Sequence, residues 1–116
     1  MSPGRPNILV VDDDQDVRET LAETLVQFGY EVVQAASGEE ALPLLESRVD
    51  IDMLITDVRM PGMSGLELAE RARRRDAHLK VIVISGYFLP QPITERFLQK
   101  PFHIEELASA VRAELG

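Results

Sequence analysis

The sequence predicts a single α/β domain, a doubly wound five-stranded parallel sheet with helices on both faces. Three observations carry this. Short apolar runs alternate with amphipathic stretches along the chain, the pattern of strands joined by helical crossovers. The runs NILVV at 7–11, MLIT at 53–56 and VIVIS at 81–85 are continuous rather than alternating, as strands covered on both faces require. A length of 116 residues fits one domain with room for a real core.

Taken in order, residues 1–6 hold two prolines and a glycine and read as a flexible leader, with the domain spanning 7–116. The first strand is 7–11. Asp14 is placed to cap a helix over 15–28, with Val17, Leu21, Leu25 and Phe28 on one face and Gly29 as its stop. The second strand is 31–35. Ser37-Gly38-Glu39-Glu40 forms a capping box, Ser37 at N-cap and Glu40 at N3, opening a helix to 46 that Pro43 is expected to kink. The central strand, 52–56, climbs to Asp57 and breaks at Pro61-Gly62. Ser64-Gly65-Leu66-Glu67 repeats the capping box for a helix to 74, with Leu66, Ala69 and Ala72 inward. The fourth strand is 80–85 and a short fifth is 97–99. Ile104, Leu107, Ala108, Val111 and Leu115 mark the inner face of a last helix.

Composition narrows the function. A net charge of −8 argues against nucleic-acid binding through bulk charge. The absence of cysteine excludes disulfides and thiolate metal sites. No apolar run approaches the ~18 residues of a membrane span, and the N-terminus has no signal-peptide core, so a cytoplasmic protein without membrane contact is expected. Arg71, Arg73, Arg74 and Arg75 read as a solvated helix end complementing the helix dipole rather than as a phosphate patch.

The strand ends carry the chemistry. Asp12 and Asp13 follow the first strand, Asp57 ends the third, Ser85 the fourth, and Lys100 the fifth. In the flavodoxin-like strand order 2-1-3-4-5, strands one and three meet at the switch point, where ligands of open α/β sheets bind. The three acids then share one cleft. Crowded carboxylates repel unless a cation intervenes. Lys100 is one such cation, and the remaining charge with oxygen donors suits Mg²⁺ or Mn²⁺. Such an ion can bind the oxygens of a phosphoryl donor. Asp57 is then a carboxylate nucleophile, with Ser85 and Lys100 placed to hold two phosphoryl oxygens.

These residues bring out a family resemblance. VVDDD at 10–14, ITDVRMPGMSG at 55–65, ISG at 84–86 and FLQKPF at 97–102 together resemble a receiver domain of the bacterial two-component response regulators, close in plan to the chemotaxis receiver. The resemblance implies Asp57 as phosphoacceptor. It implies metal ligation by Asp13, Asp57 and the Arg59 backbone carbonyl, with Asp12 reaching the metal through water. Ser85 and Phe97 are implied as the switch pair, Lys100 as the phosphate contact, and the Lys100–Pro101 bond as cis. Arg59 and Tyr87 occupy positions that flank the site and tune hydrolysis in this family. The implied partner is a histidine kinase or a histidine phosphotransfer protein. The chain is expected to be a stand-alone regulator or the receiver of a hybrid kinase.

One departure stands out. Only fourteen residues, 86–99, separate Ser85 from Lys100, fewer than in the chemotaxis receiver. A parallel crossover usually takes a dozen or more residues with a helix. Residues 86–96 reach at most roughly 36–40 Å when extended, enough to retrace a strand without one. Pro90 and Pro92 fall within them. The family's helix between the fourth and fifth strands is therefore expected to be missing or cut to about one turn. Tyr87, Phe88, Leu89 and Ile93 would then cover the strands or leave an apolar patch, and a homodimer would use a surface different from that of helix-bearing relatives. Two other functions compete with this one. A phosphatase of the haloacid dehalogenase type wants a second Asp two after the nucleophile, where Arg59 stands. A degenerate receiver, acting only as an interaction module, would have lost one of the acids, Ser85 or Lys100.

Overall fold

The continuous apolar runs become the inner strands of one sheet. The computed structural model describes residues 4–48, 50–86 and 95–116. Within them β1 (Asn7–Val11), β2 (Glu31–Ala35), β3 (Ile51–Asp57), β4 (Lys80–Ser85) and β5 (Arg96–Gln99) pair in the order β2-β1-β3-β4-β5. All four pairings are parallel. The helices are α1 (Gln15–Gln27), α2 (Gly38–Ser47), α3 (Gly65–Arg75) and α4 (Ile104–Leu115).

Strand side chains alternate between two cores. Leu9, Val11, Leu54, Val81 and Val83 pack with Ala41 of α2 and with Leu68, Ala69 and Ala72 of α3. Ile8, Val10, Met53, Ile55, Ile82 and Ile84 pack with Leu21 and Leu25 of α1 and with Leu107, Ala110 and Val111 of α4. The inner strands β1, β3 and β4 are thus apolar on both faces, which is why their sequences show no alternation, whereas the edge strands β2 and β5 keep exposed polar residues.

The caps follow the sequence in part. Asp14 caps α1, its side chain accepting from the Val17 N–H at 3.2 Å, and Gly29 turns the chain at φ +97°. Ser37 accepts from the Glu40 N–H at 3.1 Å, but the Glu40 carboxylate reaches one residue further back than a capping box requires, to the Ala36 N–H. Ser64 accepts from the Glu67 N–H at 3.2 Å, while Glu67 pairs with Arg71 at 2.9 Å instead of closing its box. The reciprocal half appears at α4, where Glu106 accepts from the His103 N–H. α2 continues through Pro43 to Ser47.

Several core assignments change. Phe28 and Ile104 are 40% and 57% exposed; they stand at the C-cap of α1 and the first position of α4, where the helical period alone does not fix burial. Leu68 and Ala110, outside the inner faces the sequence predicts, are fully or almost fully buried. The basic run on α3 is ion-paired: Arg71 with Glu67, Arg74 with Glu70, and Arg75 with Glu46 across to α2. The expected loss of a helix between β4 and β5 falls on residues 87–94, outside the described residues, as do Tyr87 and the apolar patch behind the expected homodimer. The fourth helix in chain order is present and follows β5.

Candidate functional site

The parallel register sets the strand ends side by side. Val11 pairs with Thr56, and Asp57 with Ile84, so the residues just after β1 reach the same edge as Asp57. The C-terminal ends of β1, β3, β4 and β5 therefore bring Asp12, Asp13, Asp57, Ser85 and Lys100 to one edge. Carboxylate oxygens of Asp12, Asp13 and Asp57 all lie within 4.8 Å of one another.

Each acid is held differently. Asp12 is 2% exposed. Its Oδ1 accepts from the Asp14 N–H at 2.9 Å, and its Oδ2 lies 3.4 Å from Lys100 Nζ. Its carbonyl accepts from Arg18 Nη1 at 2.9 Å, which ties the loop to α1. Asp13 is exposed and points its charge to solvent at the rim. Asp57 is half-buried, its Oδ1 3.8 Å from Lys100 Nζ. Burial pushes the Asp57 carboxyl above its ordinary value; Lys100 opposes that rise and the charge of Asp12 adds to it, followed by the Val58 N–H, which lowers it, and Asp13, which raises it.

The Lys100 backbone is tied to the end of β4. The Lys100 N–H donates to the Ser85 carbonyl at 2.8 Å, and the next peptide bond, Lys100–Pro101, is cis. The same β4 end holds Ser85, which is 1% exposed. Phe97, on β5 opposite Val83, is partly buried against the α2–α3 core. Arg59 is exposed on the loop after β3. That loop is anchored at Val58, whose N–H donates to the Ile84 carbonyl and whose carbonyl accepts from the Gly65 N–H, both at 2.9 Å.

Some supporting residues were not singled out from sequence. Thr56 is fully buried and donates its hydroxyl to the Asp57 carbonyl at 2.9 Å. Gly65 is a position where a Cβ would stand 1.9 Å from that carbonyl oxygen. The signal for Gly65 lay in the Ser64-Gly65 step directly after the Pro61-Gly62 turn, where backbone approaches backbone. Nothing in the one-dimensional pattern distinguishes Thr56 from any other strand residue.

The donor set fits a hard divalent ion. Three carboxylates graded from buried Asp12 to exposed Asp13, with one lysine against them, leave net negative charge and oxygen donors only, as Mg²⁺ or Mn²⁺ prefers. Beside the acids an apolar groove of about 580 Å³ runs between α1 and α4, lined by Val17, Leu21, Lys100, Pro101, Phe102 and Ile104 among others. Among the described residues no helix is long and apolar enough to cross a membrane.

Comparison with known proteins agrees with this geometry. The family model of the response regulator receiver domain matches residues 8–112. Over 116 aligned residues the chain is 42% identical to the transcriptional regulatory protein FixJ of Azorhizobium caulinodans, covering 92% of this chain and 54% of that protein; the chain spans about half the length of that relative. The crystal structure of the receiver domain from the hybrid histidine kinase CckA superposes with a TM-score of 0.84 at 42% identity, covering 95% of this chain and 99% of that one. The response regulator protein TrrA of Thermotoga maritima, in complex with Mg²⁺-BeF, superposes with a TM-score of 0.87 at 36% identity, covering 95% and 99%. A five-stranded sheet in the order 2-1-3-4-5, a carboxylate triad beside a lysine at its C-terminal edge, and a family match over nearly the whole chain lead to one conclusion: this chain belongs to the receiver domain family of the two-component response regulators.

Proposed function

We propose that this receiver takes a phosphoryl group onto Asp57 from the phosphohistidine of a histidine kinase or a histidine phosphotransfer protein. The observation that carries the reading is the placement of Asp57 within 4.8 Å of two further carboxylates and 3.8 Å from Lys100. An Asp57 carboxylate oxygen attacks phosphorus, the P–N bond to the donor imidazole breaks, and the imidazole keeps the electron pair and takes up a proton. The product is an acyl phosphate on Asp57. Asp13, Asp57 and the Arg59 carbonyl would hold Mg²⁺ or Mn²⁺ directly, and Asp12 through water; when bound, the ion neutralises charge on the transferring phosphoryl oxygens.

The remaining chemistry belongs to this chain. Lys100, already 3.4 Å from Asp12 and 3.8 Å from Asp57, is placed to pair with a phosphoryl oxygen. The Ser85 hydroxyl takes another, and Phe97 on the neighbouring strand turns inward as Ser85 moves. Arg59 limits the approach of water to the acyl phosphate, together with Tyr87. The apolar groove shares Lys100 with the acid cluster, so a donor helix lying in it would bring its histidine to Asp57.

The test is incubation with radiolabelled acetyl phosphate, with and without Mg²⁺, followed by borohydride trapping and mass spectrometry. Label on Asp57 that depends on Mg²⁺ and is lost in Asp57→Asn supports the reading. Wild-type labelling of Asp57→Asn would move the acceptor elsewhere. No labelling of the wild-type chain would leave a receiver that works only as an interaction module.

A further inference from the structure

The loop that leaves Asp57 is gripped from the side by the start of α2. Gly38, the first residue of α2, is buried, and a Cβ there would meet the Met63 side chain at 3.0–3.1 Å. Gly62 stands at φ +77°, and a Cβ there would meet Glu39 Oε2 at 2.6 Å. Each glycine is thus the seat for a side chain from the other segment: Met63 rests on Gly38, and Glu39 rests on Gly62. The Glu39 carboxylate closes the contact by accepting from the Met63 N–H at 3.0 Å.

Glu39 is not needed to cap its own helix. Ser37 accepts from the Glu40 N–H, and Glu40 accepts from the Ala36 N–H. What its carboxylate does is fix the far end of the loop. Val58 fixes the near end on β4 through Ile84, and Arg59 lies between these two fixed points.

We infer that Glu39 is a positioning residue for the metal and phosphoryl site, setting the path of residues 59–62 and with it the Arg59 carbonyl. The inference rests on the phosphoacceptor reading above and adds to it a residue on α2 outside the acid cluster. Gly38 serves the same end by leaving room for Met63.

The experiment is a Mg²⁺ titration of the whole chain followed by amide chemical shifts, with hydrogen exchange at the Met63 amide measured in the metal-free protein. Glu39→Ala should weaken Mg²⁺ binding about threefold to tenfold, the loss of one hydrogen bond, and should speed exchange at Met63. Glu39→Gln keeps an acceptor oxygen without the charge and should restore binding to about twofold of wild type. Gly38→Ala presses on Met63 while leaving every acid in place and should weaken Mg²⁺ binding too. Phosphorylation of Glu39→Ala by acetyl phosphate should be slow at limiting Mg²⁺ and recover at saturating Mg²⁺, which a general loss of structure would not do. Equal Mg²⁺ affinity in wild type and Glu39→Ala would overturn the positioning role alone. A Glu39→Gln variant as weak as Glu39→Ala would assign the effect to charge and overturn it as well. Failure of the wild-type chain to bind Mg²⁺ would overturn the phosphoacceptor reading, and this inference with it.

Discussion

At the scale of single residues, the site holds its own instability. Burial raises the Asp57 carboxyl above its ordinary value, and Lys100 only partly offsets this. The native state therefore keeps the Asp57 proton to a higher pH than the unfolded chain does. Between the ordinary value and the raised one the native state binds more protons, so stability falls as pH rises through that window, and the loss is complete above the raised value. Asp57→Asn removes an ionised group from the cluster and should raise Tm in EDTA at pH 7 by a few degrees. The difference from wild type should shrink as pH falls into the carboxylate range. A lower Tm for Asp57→Asn at pH 7 would show that the pairing with Lys100 outweighs the desolvation. Gly65 makes the opposite case. A Cβ 1.9 Å from the Asp57 carbonyl oxygen and 2.9 Å from Thr56 Oγ1 has only backbone and a buried hydroxyl to push against. Gly65→Ala should cost roughly 1–3 kcal/mol or more and shift Asp57, read by denaturant unfolding and by slower labelling from acetyl phosphate. The acids, Ser85 and Lys100 were legible in the sequence because each ends an apolar run. Glu39 and Thr56 were not, since their roles depend on contacts between segments that no spacing encodes.

At the scale of elements, strands were more legible than helix faces. Continuous apolar runs set β1, β3 and β4 to within a residue or two, because both faces of the sheet are covered. Helix faces are less legible at their ends: Phe28 and Ile104 fit the helical period but stand exposed at the end of α1 and the start of α4, while Leu68, between Leu66 and Ala69, is fully buried. The capping boxes also show the limit of local motifs, since Glu67 has an equally short route to Arg71. α2 carries a conflict of its own. Pro43 is exposed and lies inside the helix, where it cannot donate to the carbonyl of Glu39. Pro43→Ala would add that hydrogen bond and lose little packing, against a gain of unfolded-chain entropy of about 0.4–1 kcal/mol. A net stabilisation of about 1–2 kcal/mol is expected, measured as a higher denaturant midpoint at unchanged slope. A lower midpoint would show that the restriction proline places on the unfolded chain outweighs the missing hydrogen bond.

At the scale of the whole molecule, the acid cluster and the groove lie on the same side of the sheet edge and share Lys100. A small phosphodonor needs the cluster alone, whereas a protein donor must also cover the surface around it. Ile104 separates the two. It lines the groove, yet it is 57% exposed and so contributes little to the core. Ile104→Glu places a charge where an apolar helix face would have to be desolvated, at the first position of α4, where an acidic side chain is compatible with the helix dipole. The fold should keep its stability within about 0.5 kcal/mol, and labelling from acetyl phosphate should be unchanged. Phosphotransfer from a phosphorylated histidine phosphotransfer protein or kinase should slow by about tenfold or more, the effect of one buried apolar contact replaced by an unpaired charge. The comparison is internal, since one variant is measured with two donors. Equal slowing with both donors would mean that Ile104 acts on the acid cluster through α4 and Lys100. No slowing with either would place the protein donor on another face of the domain, with the groove no part of its path to Asp57.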